Sequence, residues 1–300
     1  MNALTHQADV GVSPATPRAP SEERPLRAPD VPRILINLAL LALALLWAMP
    51  FIWMVLSSFK PLSEIFSPTP SLIPQDWTTG NWTTALAGAD FARGFLNSLI
   101  VAVSITFGSL LTCAMAAYAF ARIRFPGENA LFMVFLGTMM VPGQLTIIPL
   151  YVIMAQLQMI NTLTALIVPA VLFNAFGVFL LRQYVKGIPI ELEEAASIDG
   201  AGRVRIFITI VLPLLRTPLV ALGIFTFLGQ WNSFFHPLIF LNTEDQFTLP
   251  LLINQFKGIY TSNWGALMAA VTLAAAPMLV VFMIAQRKIV EGVALSGSKT

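Results

Sequence analysis

Charge is scarce in this sequence. Only 11% of its 300 residues are Asp, Glu, Lys or Arg, against about 25% in an average soluble domain. Cysteine is nearly absent, since Cys113 stands alone in an apolar run, and no disulfide framework can form. The two histidines, His6 and His236, are too few to build a metal cluster with it. A net charge of +2 is too small to point to nucleic acid. No internal repeat of about 20 to 50 residues appears, which excludes a solenoid. The patterns HExxH, GxSxG and GxxxxGK[ST] are all missing. A zinc protease, a serine-hydrolase elbow and a phosphate loop therefore have no footing.

What is abundant is apolar sequence, 57% of the chain. A helix needs about 20 apolar residues to cross a bilayer. Six stretches meet that length: Ile34 to Phe59, Phe95 to Ala121, Ala130 to Ala155, Leu163 to Val185, Phe207 to Phe235 and Gly265 to Gln286. The expected fold is an all-α integral membrane protein with six transmembrane helices. The fifth stretch carries Pro213 and Pro218, so a bend is expected there. No Asp or Glu lies inside any of the six. Proton-coupled carriers and intramembrane aspartyl enzymes need such acids, so both are disfavoured. Small residues such as Gly108, Ala114, Ala117, Gly177 and Gly223 should let these helices approach closely.

Basic residues set the orientation. With the N-terminus inside, thirteen Lys and Arg fall on one side and only Lys60, Arg93 and Lys257 on the other. Both termini are therefore expected in the cytoplasm. Residues 1–33 read as a disordered, proline-rich tail and 288–300 as a second tail. Residues 34–93 hold the first span and a large outer loop with Trp77 and Trp82, placed against the outer surface. Asn242 to Trp264 forms the second outer loop. Arg216 falls within the fifth span, where it can snorkel to the inner surface.

One inner stretch breaks the pattern. Glu191, Glu193, Glu194, Asp199, Arg203 and Arg205 crowd into fifteen positions between the fourth and fifth spans. Pro189 suits a first helical position. The three glutamates favour the positive end of a helix dipole, and Gly200 can take positive φ and end the helix. The expected element is a short surface helix over about 189–200, with small Ala195 and Ala196 allowing a partner to come near its backbone.

Glu194-Ala195-Ala196, then Gly200, Ile210, Leu212 and Pro213, resemble the EAA loop of bacterial ABC-importer permeases at each fixed position. The segments AYAFARIRFPGEN, MMVPGQLTIIPLY, WNSFFHPL, FTLPLL and QRKIVEG are similar to the MalG-like permease subunits of carbohydrate importers. Two departures are Ser233, where the family usually has an acid, and the SGSKT ending. The resemblance implies a type I importer transmembrane domain over 94–287, with an EAA coupling helix on its cytoplasmic face. It implies a bacterial inner-membrane location and, as partners, a second MalF-like permease, two ATPase subunits and an extracytoplasmic solute-binding protein, within membrane lipid. ATP and Mg would be used by the ATPases, with no cofactor bound by this chain. Glu191, Glu194, Ala195, Ala196, Asp199, Gly200 and Arg203 would meet an ATPase.

Candidates for the solute pathway are Gln144, Asn174, Gln230 and Asn232, with Trp231 as a stacking platform. Gln144 follows Pro142-Gly143, an expected helix break. The same groups can instead join neighbouring helices. A sugar or polyol is the expected solute. A glycerol phosphodiester, or a different machine such as a secondary carrier or channel, are the alternatives.

Overall fold

The computed structural model describes residues 31–87, 90–257 and 263–297. It divides into two units, Met1–Met49 and Pro50–Thr300. Helix α1 (Val31–Ser57) runs across that division. In the first unit, side chains 34–47 are all exposed and apolar but for Asn37, as a helix facing lipid would be. The expected tail 1–33 lies outside the described residues, except that its last three are already helical.

The second unit is organised around one long helix. After α2 (Leu62–Ile65) and α3 (Gly80–Ala87), α4 runs unbroken from Phe91 to Arg122. It packs on α7 (Thr164–Leu172), α8 (Ala175–Lys186) and α12 (Arg216–Trp231). Small residues make these contacts possible. A Cβ at Gly177 would lie 2.7 Å from Cys113 Sγ, and one at Gly108 would lie 2.6 Å from Val171. Close backbone approach replaces the hydrophobic drive that lipid cannot supply.

Among the described residues, four helices are long and apolar enough to cross a membrane, and six if each of two bent pairs is one span. The third expected span is a bent pair, α5 (Glu128–Gly137) and α6 (Ile147–Gln156), broken by 99° around Val141-Pro142. Proline has no N–H to continue a helix. The fourth span is interrupted between α7 and α8, where the Asn174 side chain caps α8 by accepting from Gly177 N–H at 2.9 Å.

Between α8 and α12 stand α9 (Glu191–Ile198), α10 (Arg203–Ile206), a π-helical turn (Phe207–Val211) and α11 (Leu212–Leu214). The fifth span turns by 75° at Leu215, between the two prolines expected to bend it. It ends at Trp231, short of Phe235, and α13 (Phe235–Phe240) and α14 (Leu249–Gln255) follow. Helix α15 (Trp264–Gly297) continues ten residues or more past the expected end of the sixth span.

The loop after α1 is built on two charges. Lys60 is 1% exposed, with Nζ bonded to the Ser71 carbonyl, 3.8 Å from Glu64 and 4.7 Å from the Trp53 ring centre. Glu64 accepts from Ser71 Oγ at 2.6 Å and from Gln75 N–H at 3.1 Å. Asn81 donates to the carbonyls of Ser58 and Lys60. The loop before α14 is tied to α4 by Asn97, which donates to the carbonyls of Asp245 and Phe247, each at 3.0 Å.

Candidate functional site: an acidic helix on a buried ion pair, and a cavity beside a broken span

Helix α9 has only two turns, too few to persist on propensity alone. Its start carries Glu191, Glu193 and Glu194 in the first turn, complementing the dipole. Pro189 lies two residues ahead of the helix, outside the first helical position expected for it. Its end is a Schellman turn. Gly200 takes φ +81°, Ala201 N–H donates to the Ala196 carbonyl at 2.9 Å and Gly200 N–H to the Ser197 carbonyl at 3.0 Å.

Two features fix α9 to the bundle. Ala196 and Ala201 pack on a cluster of Tyr118, Val185, Ile206, Val211 and Leu215. Beside it lies a buried ion pair. Glu193, 7% exposed, accepts from Arg122 Nε at 2.6 Å and from Tyr118 Oη at 3.3 Å. The other end of the Arg122 fork donates to the Ile188 carbonyl at 2.6 Å. Each charge thus has a partner and a further hydrogen bond, which a buried ion pair requires.

Glu191, Glu194, Ala195 and Ile198 fall at i, i+3, i+4 and i+7, and all four are exposed along one edge. Ile198 is 86% exposed, an unusual cost for an isoleucine. Asp199 and Arg203 are exposed beside this edge. Of the seven residues expected to meet an ATPase, Ala196 is turned inward instead, because α9 rests on that face. Glu193 was missed as a site residue. Its place one step from Glu194, on the face of Ala196, was visible, but its partner Arg122 is 71 positions away.

The solute-pathway candidates separate. Trp231 is 2% exposed, stacks on Phe227 with ring centres 5.9 Å apart, and donates from Nε1 to the Ala274 carbonyl. In this structure its faces and its polar atom are used in the core rather than offered to a solute. Asn174 is also spent. It donates to Ser109 Oγ at 2.9 Å while capping α8. Asn232 is exposed and donates to the Leu228 carbonyl. Gln144 is exposed on the 3-10 turn that follows the break in the third span.

Gln230 alone of the five borders a cavity of about 570 Å³. The walls come mainly from α6, α7 and the α12–α13 turn, with Val101 of α4 and Thr248 ahead of α14, and include Thr146, Phe173, Ser233 and His236. Among the described residues, no Asp, Glu, Lys or Arg contributes to them. A few uncharged polar groups among apolar ones such as Pro169 and Phe173 give it a mixed lining, as small-molecule pockets have. Ser233 and His236 follow Gln230 at successive three-residue steps, a spacing the sequence shows, but nothing local connects them to Thr146.

Apolar spans, the third and the fifth of them bent sharply, with a short acidic helix displayed between the fourth and the fifth, fit a multi-span membrane subunit of the transport class. Residues 104–294 match the binding-protein-dependent transport system inner membrane component family, and the chain belongs to it. Its fold is that of an ABC-importer permease. Among its relatives is the diacetylchitobiose uptake system permease protein NgcG of Streptomyces coelicolor, 36% identical, with 84% of this chain and 85% of that one covered. Another is the arabinooligosaccharides transport system permease protein AraQ of Halalkalibacterium halodurans, 34% identical over 88% and 96% of the two chains. A bacterial ABC transporter involved in import of the acidic polysaccharide alginate has a chain of the same fold, with a TM-score of 0.76 at 22% identity, covering 85% of this chain and 96% of that one.

Proposed function

We propose that this permease subunit forms half of the translocation path for a sugar or related polyol in an ATP-driven importer, and that α9 receives the force. The observation that carries this is the exposed edge of Glu191, Glu194, Ala195 and Ile198 standing on a fixed base. An apolar side chain exposed beside acids suits a protein cleft that is basic at its rim and apolar within. The working cycle is alternating access. Two ATPase subunits close on ATP, each grips the coupling helix of one permease, and the spans rock between inward-open and outward-open.

The chain supplies no ATPase site of its own, so ATP and Mg act in the partners. The other expected partners are a second, MalF-like permease and an extracytoplasmic binding protein. The thirteen-to-three distribution of basic residues supports a bacterial cytoplasmic-membrane location with both termini and α9 on the cytoplasmic side. The sugar class rests on the relatives named for diacetylchitobiose and arabinooligosaccharides. It is compatible with a cavity whose lining, Gln230 included, carries no fixed charge.

The test has two parts. The chain, purified from membranes, should bring an ATPase with it, and its deletion should abolish uptake of one neutral oligosaccharide from a labelled panel. Glu194→Lys should leave membrane insertion intact and abolish both. Transport reconstituted by this chain alone would instead make it a secondary carrier or channel.

A further inference from the structure

We infer that Arg122, Glu193 and Tyr118 form the rigid joint that passes displacement of α9 into α4, and that they are positioning residues for coupling. This rests on the permease reading above and extends it to residues that touch no ATPase. The geometry is a two-sided grip. Arg122 is the last residue of α4, and its fork holds the Glu193 carboxylate with Nε and the Ile188 carbonyl with the other nitrogen. One contact is on the first turn of α9, and the other is on the chain leading into it. Two separated contacts from one planar group fix orientation as well as distance. Tyr118, one turn back on α4, holds the second carboxylate oxygen, and its ring packs on Phe207 with centres 5.4 Å apart.

The grip reaches the rest of the bundle through α4. That helix runs 32 residues without a break and packs on α7, α8 and α12. By contrast, the direct chain path from α9 into the fifth span passes through α10, a π-helical turn and the bend at Leu215. A sequence of short helical pieces transmits a push poorly, because each junction can absorb it. The buried joint bypasses those junctions. It also explains why an acid is buried here at all, when its neighbours Glu191 and Glu194 face outward.

The complex reconstituted in proteoliposomes gives the test, with transport of labelled diacetylchitobiose or arabinooligosaccharide, the solutes of the relatives' names, and ATP hydrolysis measured together. Glu193→Gln and Arg122→Lys each keep shape and lose one charged contact. Solute moved per ATP should fall roughly tenfold, the scale of losing a hydrogen bond to a charged group, while the complex assembles and still hydrolyses ATP. Tyr118→Phe keeps the ring and should give a smaller fall. An unchanged ratio in all three overturns the joint. A fall in uptake and hydrolysis by the same factor overturns it too, since that is loss of structure rather than of coupling.

A measurement on the intact joint covers variants that fail to assemble. Spin labels at Ser197→Cys on α9, exposed but not one of the four residues of the docking edge, and at Met115→Cys on α4, also exposed, avoid that edge, while native Cys113 is 1% exposed. The distance between labels should stay the same with and without ATP. A shift beyond the width of the distance distribution overturns the joint. Absence of any ATPase partner would overturn the permease reading and the joint together.

Discussion

Individual side chains here are decided by what their neighbours leave unpaired. Asn174 is a polar residue in an apolar span, and the type alone suits a solute contact. Its oxygen instead accepts the Gly177 N–H, and its amide donates to Ser109. Both halves of the group are used in closing a helix break. Asn174→Ala should cost about 1 kcal/mol of stability, as lost caps do, with the KM for the transported solute unchanged. Thermal unfolding in detergent beside uptake kinetics checks both halves. Gly200 is the opposite case, because its role followed from residue type. Only glycine takes φ +81° without the penalty of about 1–2 kcal/mol that a Cβ brings there. Gly200→Val should unwind the end of α9 and abolish uptake while the protein still inserts. Residue type offers Trp231 as a stacking platform for a solute, but says nothing of the direction of its ring. A buried ring with a bonded Nε1 belongs to the core, and Trp231→Ala should destabilise by about 3–5 kcal/mol.

Secondary elements were legible where local chemistry sets them. Length and apolar content locate the spans, and Pro142-Gly143 marks the break in the third. Glutamates followed by a glycine bound α9 to within two residues. What stays hidden is any feature made by two distant segments. The Arg122–Glu193 pair joins the end of one span to the loop after another, and the cavity joins residues of five helices. The loop after α1 shows the same limit. Its tryptophans were visible, but not the Lys60–Glu64–Ser71 cluster that organises it. Glu64 is held below the usual carboxylate range, first by the Ser71 hydroxyl, with burial opposing, and then by the N–H groups of Gln75 and Asp76 and the Lys60 charge. A lowered folded-state value stabilises the loop above the unfolded-state value, and that contribution is lost as pH falls through the folded one. Acid should therefore loosen the loop. Tryptophan emission from Trp77 and Trp82 should change on acidification in the wild type, and Glu64→Gln should already show the acid form at neutral pH.

At the scale of the molecule, the proposal depends on which face meets ATP. The sign of the loops favours the cytoplasmic face for α9, because basic residues resist transfer across the membrane. Six spans, with the bent pairs counted as one each, put α9 opposite the loop after α1. An unpaired re-entrant segment in place of the third span would put them on the same side. The 99° break makes that a physical alternative rather than a formal one. Single cysteines separate the two. Cys113 is 1% exposed and contributes little background. Ile198→Cys on α9 and Thr69→Cys in the loop after α1 are both exposed positions. In intact cells, a membrane-impermeant maleimide should label Thr69→Cys and leave Ile198→Cys untouched. In inverted vesicles the pattern should reverse. Labelling of both from one side would mean that the bent third pair does not cross. In that case α9 and the loop after α1 would share a face, and an ATPase could not reach α9 unless the loop also lay in the cytoplasm.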